Sequence, residues 1–366
     1  MAAGTLPAPH SPARSRSIRT ALLTTLCLAA SLLAGCTLHM PGRTFEGHLP
    51  TTTPAQTTLA DQLRDDVFTL AGTIGERNLS KPEQLRQAES FLAASLARMG
   101  YTVRWKPYQC DGHEVSNLEA ELPGTTHPTE IVLIGAHYDS VGYKAVHTPG
   151  ADDNASGCAG VLALARAFVG HPQPRTIRFV LFVNEEPPYF WTDRMGSLVY
   201  AKQCKAESQN IVAMLSLEML GLYRQEQGTQ DYPPLVGLVF PSTGDFIAFI
   251  GVEEAGPLVQ RCVGAFRATV DFPSEGAALP RLIPRIASSD HWSFWKQGYP
   301  AAMVTDTAIY RNANYHKSTD TPDTLDYERM ARVVQGLEGV VRDLGTPVLR
   351  TGFGLPGSEN RVTQGD

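Results

Sequence analysis

Residues 129–157 read TEIVLIGAHYDSVGYKAVHTPGADDNASG, and this stretch predicts both the fold and a site. Its first eight residues are nearly all apolar, as in a strand covered on both faces. His137 and Asp139 follow the apolar run, so that Asp139 could hold one ring nitrogen of His137 while the other binds a metal. Asp152 and Asp153 then stand in a Gly-rich turn before a helical pattern. Alone, such a stretch is usually just an exposed loop.

Further candidate ligands follow other predicted strands. Glu185 and Glu186 end the run TIRFVLFVNEE, Glu218 lies inside the apolar run IVAMLSLEM, and His316 lies in NYHKSTDTPD. Open α/β sheets place their ligands outside the carboxyl ends of their strands. Neighbouring buried carboxylates are also unfavourable without cations. The polar residues therefore indicate a metal site at one edge of a sheet.

In chain order, these residues resemble the ligand series of the di-zinc aminopeptidase family of clan MH, which also contains glutamate carboxypeptidases and glutaminyl cyclases. The similarity covers roughly residues 85–345. It is carried by the blocks GAHYDS, PGADDNASG, NEE and SDHWSFWKQGYPAA. The resemblance implies an α/β three-layer sandwich with a mixed, mostly parallel central sheet and helices on both faces, as in zinc-dependent exopeptidases of the phosphorylase/hydrolase-like fold.

The resemblance also implies a ligand set. Two zinc ions are expected, one held by His137 and Glu218 and the other by Glu186 and His316, with Asp153 as the bridging carboxylate. Many relatives carry aspartate where this chain has Glu218. The longer side chain leaves the ligand role plausible and the geometry and metal preference open.

Further residues are implied to support catalysis. Glu185 corresponds to the general base, and Asp139 and Tyr315 are catalytic candidates, Tyr315 as a donor to an oxyanion or as packing at the pocket rim. Asp290 is a candidate for substrate contact or a helix N-cap, and His291 is expected to be structural. The segment PPYFW at 187–191 either lines the substrate pocket or caps the sheet.

The implied function is hydrolysis of peptide bonds by a zinc-dependent exopeptidase, in the first place an aminopeptidase. A carboxypeptidase or dipeptidase, a non-catalytic receptor-like relative and a glutaminyl-cyclase-like enzyme are the alternatives. Cyclase relatives lose one metal position, whereas ADD and NEE are both intact here, which favours hydrolysis. An intact Glu185 disfavours a non-catalytic relative.

Composition limits the partners. The chain of 366 residues has a net charge of −6 and is 43% hydrophobic and 19% charged. This balance provides no basic field for nucleic acid and is sufficient for a substantial core. Because one sheet must gather all the ligands, we expect a single zinc peptidase domain over residues 59–348 that acts on peptide substrates.

The first 36 residues are typical of an export signal. Arg14, Arg16 and Arg19 precede an apolar stretch at 21–34 that is short for a membrane span. The closing LAGC resembles a lipoprotein lipobox, which implies lipidation of Cys36 and a lipid anchor in the cell envelope, at the outer membrane of a double-membraned cell. A plain signal peptide with an accidental cysteine is the alternative.

The remaining segments are expected to be irregular or short. Residues 37–58 are rich in Pro, Thr and Gly and predict a flexible tether, and residues 349–366 predict a disordered tail.

Four other cysteines allow three disulfide pairings or buried free thiols: Cys110, Cys158, Cys204 and Cys262. Helices are predicted over 59–79, 80–99, 155–169, 195–204, 253–270, 288–295 and 323–344. Strands are predicted over 101–108, 117–122, 129–136, 176–184, 211–220, 235–240 and 301–305.

Overall fold

The structure is a computed structural model that describes Met1 and residues 37–142, 147–234 and 236–347. The predicted lipobox with Cys36 and the predicted tail over 349–366 lie outside the described residues. Among the described helices, none is sufficiently long and apolar to cross a membrane.

Eight strands form one sheet. They are β1 (Arg104–Cys110), β2 (His113–Leu122), β3 (His127–His137), β4 (Arg175–Phe182), β5 (Asn210–Glu218), β6 (Ile247–Val252), β7 (Ser274–Leu279) and β8 (Ala301–Thr305). Their spatial order is β1-β2-β4-β3-β5-β8-β6-β7. Strands β4, β3, β5 and β8 are parallel to one another. On one side of this group β2 is antiparallel to β4 and β1 is antiparallel to β2, and on the other side β6 is antiparallel to β8. The predicted mixed sheet is confirmed.

Helices cover both faces of this sheet. They are α1 (Pro54–Val67, continued by a π-helical turn to Ile74), α2 (Pro82–Arg98), α3 (Gly157–Phe168), α4 (Gly196–Ala206), α5 (Gly256–Thr269), α6 (His291–Lys296) and α7 (Tyr327–Gly345). In β3, Val132 and Ile134 belong to the larger core beneath α1, α3, α5 and α7, whereas Ile131 and Leu133 belong to the core beneath α4 and α6. The alternation explains why β3 is apolar on both faces from residue 131 to residue 136, and the three-layer prediction is confirmed.

The first helix begins earlier than predicted because of its N-terminal residues. Thr53 Oγ1 accepts a hydrogen bond from Gln56 N at 3.2 Å, and Gln56 Oε1 accepts one from Thr53 N at 2.9 Å. This reciprocal capping box satisfies two backbone donors, and Pro54 suits the first helical turn.

The segment predicted as a flexible tether packs against the domain, and this corrects the prediction for residues 37–58. Thr37 pairs with Ala278 of the edge strand β7, with N···O distances of 2.9 and 3.0 Å. Met40 is buried in the larger core, and Arg332 Nη2 donates to the Pro50 carbonyl at 2.5 Å. The composition of this segment could not reveal these contacts, because they are made with residues more than two hundred positions away in the chain.

The predicted strand at 235–240 is wrong. Val236–Leu238 forms a single 3₁₀ turn, and Leu238 is 81% exposed. Pro233 and Pro234 immediately precede the predicted strand, and proline has no N–H group to donate to the hydrogen-bond ladder of a sheet. The sheet instead gains β6 and β7, of which β7 reads SEGAAL and has little intrinsic strand preference.

The cysteine alternatives are resolved in favour of thiols. Cys110, Cys158, Cys204 and Cys262 are all free and buried. Burial raises the pKa of the Cys158 thiol to about 12, so this group stays neutral in the core.

Candidate metal centre

The candidate ligands meet because their strands are neighbours. His137 is the last residue of β3 and Glu218 is the last residue of β5, and these strands are adjacent and parallel. Glu185 and Glu186 follow β4, on the other side of β3. Carboxyl ends of parallel strands lie at one edge of a sheet, as the sequence predicted for these four side chains.

The turn that carries Asp153 is held from two directions. Gly150 has φ +64°, and a Cβ added there would lie 2.4 Å from the carbonyl oxygen of Asp153. The carboxylate of Asp320 accepts hydrogen bonds from the backbone N–H groups of Asp152 at 2.9 Å and Asp153 at 3.1 Å. The side chain of Asp153 is thereby presented towards His137.

Arg77 joins this turn to the loop after β3. Its buried guanidinium donates to the carbonyl oxygens of Tyr138 at 2.8 Å, Pro149 at 2.5 Å and Gly150 at 2.9 Å. Sequence reasoning missed Arg77 and Asp320, although Asp320 lies in the run that carries His316, since nothing local indicates such distant partners.

Two groups of ligand atoms share Asp153. His137 Nε2 lies 3.4 Å from Asp153 Oδ1 and 3.4 Å from Glu218 Oε2. His316 Nε2 lies 3.2 Å from Asp153 Oδ2 and 3.2 Å from Glu186 Oε2. Within each group, all ligand atoms are within 4.8 Å of one another. The structure therefore brings together all five predicted ligands, in the predicted pairs.

The donor set fits zinc. Imidazole nitrogen and carboxylate oxygen are ligands that zinc accepts. In the described part of the chain, His137 Nε2 and Glu186 Oε1 are buried and have no hydrogen-bond partner. Buried polar atoms without partners are costly, and a cation in each of the two ligand groups would offset that cost.

Asp139 acts differently from the prediction. The Nδ1 atom of His137 lies 3.1 Å from the Asp139 backbone carbonyl, which can accept its proton, and 3.6 Å from the carboxylate. The carboxylate instead accepts hydrogen bonds from the backbone N–H groups of Glu185 and Glu186, both at 3.1 Å. Asp139 therefore orients the imidazole through its backbone and the two glutamates through its side chain.

The longer side chain of Glu218 is held in place by neighbours. Ser289 Oγ donates to Glu218 Oε2 at 2.8 Å, and Asn154 Nδ2 lies 3.4 Å from the same oxygen. Asn154 Nδ2 also donates to the Leu217 carbonyl at 2.8 Å. Ser289 is the first residue of the SDH block, so its presence near the site could have been anticipated, whereas its bond to Glu218 could not.

Glu185 lies beside both groups and belongs to neither. Its carboxylate is buried, with Oε2 at 3.9 Å from His137 Nε2.

Asp290 is also fully buried, and neither of its carboxylate oxygens has a hydrogen-bond partner in the described structure. Its predicted N-cap bond is absent from α6. His291 Nε2 donates to the Ile286 carbonyl oxygen at 2.7 Å, consistent with the structural role expected for it.

The electrostatics indicate a site that requires cations. Burial and the nearby charge of Asp153 raise the pKa of Glu186 to about 8. Burial likewise raises the pKa of Glu185 and of Glu218. Carboxyl groups with strongly perturbed pKa values in one cleft are typical of functional sites, and divalent cations would stabilise their ionised forms.

Asp153 and His316 are perturbed in the opposite sense. Burial opposes ionisation of Asp153, but the imidazoles of His137 and His316, which face its two oxygens, lower its pKa below the ordinary value. Burial disfavours the charged imidazole of His316, but its hydrogen bonds with Asp153 and Glu186 raise its pKa to about 10. Asp153 is thus the carboxylate best suited to remain ionised between two positive centres.

Tyr315 lies at the border between the ligands and a cavity. Its ring stacks on that of His316 with centroids 3.8 Å apart, and its hydroxyl makes no hydrogen bond with the described residues. The cavity of about 100 Å³ begins at Glu218 and Tyr315 and is walled mainly by apolar side chains. A polar hydroxyl on the rim of an apolar cavity is available to a ligand.

The PPYFW segment borders the site. Pro187, Pro188 and Tyr189 line a cleft with Asp139 and Glu186. Trp191 stacks on Phe190, and its Nε1 donates to the Ala287 carbonyl at 3.1 Å. These contacts support the interpretation that the PPYFW segment lines a cleft over the interpretation that it only caps the sheet.

Known proteins share this chain's sequence and fold. The profile of Peptidase family M28 matches residues 117–341. The uncharacterized protein YfbL of Escherichia coli (strain K12) is 36% identical over 284 residues, which cover 76% of this chain and 86% of that protein. A probable leucine aminopeptidase of Trichophyton verrucosum (strain HKI 0517) is 27% identical over 241 residues, which cover 63% of this chain and only 57% of the relative.

Solved structures show the same fold. BSAP, a zinc aminopeptidase from Bacillus subtilis, superposes with a TM-score of 0.59 at 14% identity, covering 81% of this chain and 96% of that one. The glutaminyl cyclase of Fimbriiglobus ruber has a TM-score of 0.58 at 18% identity, covering 83% and 99%.

The chain belongs to peptidase family M28. It is a zinc-dependent exopeptidase, that is, a hydrolase of peptide bonds, and this confirms the resemblance and the class of activity that the ligand series predicted.

Proposed function

We propose that the protein is an aminopeptidase with two zinc ions per chain. His137 and Glu218 would hold one ion, Glu186 and His316 the other, and Asp153 would bridge them. The observation that carries this proposal is the sharing of Asp153 by two groups whose ligand atoms lie within 4.8 Å of one another. One carboxylate oxygen of Asp153 faces each imidazole.

Glu185 would serve as the general base. Bound zinc ions would acidify a water molecule and polarise the scissile carbonyl. Glu185 lies next to the His137 ligand without an assigned ligand role, so its carboxylate can accept the proton of the attacking water. It would return that proton to the amine nitrogen as the carbon–nitrogen bond breaks. The free hydroxyl of Tyr315 could donate to the carbonyl oxygen as negative charge develops there.

The charge of the site favours an amino terminus over a carboxyl terminus. Glu185 and Asp290 are buried carboxylates that belong to neither ligand group. They would attract a free α-ammonium group and repel a terminal carboxylate. One observation favours a carboxypeptidase: Arg285 lines the cavity and could bind a terminal carboxylate. It is exposed, however, which weakens the pairing.

Peptides with blocked ends separate these activities. We expect hydrolysis of a peptide with a free N-terminus, unchanged by C-terminal amidation and abolished by N-acetylation. Removal of metal by a chelator should abolish turnover, and added zinc should restore it. Turnover that requires a free C-terminus would establish a carboxypeptidase instead, and cyclisation of an N-terminal glutamine without hydrolysis would establish a cyclase.

We also propose that the mature protein is anchored in the cell envelope through lipidated Cys36. The lipobox LAGC supports this, and Thr37 pairs directly with Ala278, so the lipid would hold the edge strand β7 close to the membrane. Cys36→Ser should leave the protein unprocessed or released from membranes, as measured by fractionation and mass spectrometry. Wild-type protein found wholly soluble with an unmodified N-terminus would contradict the anchor.

A further inference from the structure

The floor of the cavity links the metal centre to a second carboxylate. In the sheet register, Glu218 pairs with Thr305, Thr305 with Ala248, and Ala248 with Glu275. These four residues form one row across β5, β8, β6 and β7. With neighbouring strands about 4.8 Å apart, the Cα atoms of Glu218 and Glu275 are roughly 14 Å apart. Glu218 and Glu275 both line the same cavity.

The space between the two carboxylates is apolar. On β7, Ala277 and Leu279 lie on the same face as Glu275 and line the cavity together with it. Ile250, Met303 and Phe246 complete the floor and wall. Such a surface stabilises an aliphatic chain by removing it from water.

Glu275 lacks a partner of its own. In the part of the chain that the structure describes, its carboxylate makes no hydrogen bond and no ion pair within 4.0 Å. The nearby guanidinium of Arg267 donates to Ser274 Oγ at 3.1 Å, to the Ser274 carbonyl at 2.6 Å and to the Pro41 carbonyl at 3.1 Å. Burial raises the pKa of the Glu275 carboxyl group. A half-buried carboxylate in this position would gain from a cationic ligand.

We propose that Glu275 determines specificity for a basic N-terminal side chain, lysine or arginine, of the substrate. The scissile bond would lie at the metal centre, the methylene stem along the apolar floor, and the charged tip at Glu275. Lysine carries its ammonium group on a flexible four-carbon stem, so it combines the two surfaces that the cavity offers. This inference rests on the proposed aminopeptidase function and names the substrate class of that site.

Arg285 is the alternative determinant. It is the only lysine or arginine among the described residues that line the cavity, and it would select an acidic side chain. It lies at the exposed mouth, where water and salt screen its charge, whereas Glu275 is partly buried at the floor. The two assignments predict opposite charge preferences.

The test compares peptides that differ only in their N-terminal residue: lysine, norleucine and glutamate. Norleucine has the lysine stem without the ammonium group. For the wild-type protein, kcat/KM with the lysine peptide should exceed that with the norleucine peptide by about tenfold to a hundredfold, as expected for a hydrogen bond to a charged group. Glu275→Gln should remove this ratio by lowering kcat/KM with the lysine peptide. The control Glu253→Gln, at an exposed site in the turn after β6, should preserve it.

The outcomes distinguish this inference from the function on which it rests. Equal rates with lysine and norleucine, in the wild type and in Glu275→Gln, overturn the role of Glu275 and leave the aminopeptidase intact. A preference for glutamate overturns it in favour of Arg285. Hydrolysis of none of the peptides by the zinc-loaded protein overturns both proposals. Glu275→Met should repeat the loss of the ratio if Glu275→Gln unfolds, as judged by thermal unfolding.

Discussion

Glu185→Gln is expected to retain the zinc content of the wild type and to lose about a hundredfold to ten-thousandfold in kcat. The amide has the size of the carboxylate but cannot accept a proton. Glu185 Oε2 lies 3.9 Å from His137 Nε2, and Glu185 is absent from both ligand groups, so its replacement leaves the metal ligands in place. Zinc content by elemental analysis and kcat on a peptide with a free N-terminus are the two readouts.

Its neighbour supplies the matched comparison. Glu186→Gln removes one ligand from the group formed with Asp153 and His316, and it should therefore lower the affinity for one zinc ion. Near wild-type kcat in Glu185→Gln at full metal loading would contradict the general-base assignment. It would also remove the argument against a non-catalytic relative, because that argument depends on Glu185 as the base.

Asp153→Asn is expected to have the largest effect on metal binding, because Asp153 alone contributes to both ligand groups. The neutral amide removes the charge that both imidazoles face at 3.4 and 3.2 Å. Zinc content should fall for both ions together, and kcat should fall by more than about a thousandfold because base catalysis and metal activation are lost together.

Two variants calibrate this result. Asp323→Asn changes an exposed aspartate outside the site and should retain both zinc ions and full turnover. Glu218→Gln should lower the occupancy of one ion only. Loss of a single ion in Asp153→Asn, with the other bound as in the wild type, would show that this carboxylate does not bridge.

The strands around the centre were predictable because their sequences are locally unambiguous. The run IVLIGAH is apolar on both faces and ends in a ligand, and β3 indeed ends at His137. The same holds for β5, which ends at Glu218. The candidate ligands were implied by the resemblance of the order of residue types to that of the di-zinc aminopeptidase family, and this order is independent of exact element boundaries.

The remainder of the fold depends on contacts between distant residues. Strand β7 is rich in small residues and is stabilised by pairing with β6 and with Thr37, which periodicity cannot reveal. Asp320 reaches the Asp153 turn, and Arg77 reaches three carbonyl oxygens, over separations of sixty residues or more. Asp139 shows the same limitation: its proximity to His137 was evident, but the bonds of its carboxylate to two backbone N–H groups were not.

Anomalous diffraction at the zinc edge from crystals of the wild-type protein tests the two-metal centre most directly. We predict two peaks of comparable height, one between His137 and Glu218 and the other between Glu186 and His316, with the carboxylate of Asp153 contacting both. A catalytically active crystal form with one peak, or with zinc bound away from Asp153, would contradict the account.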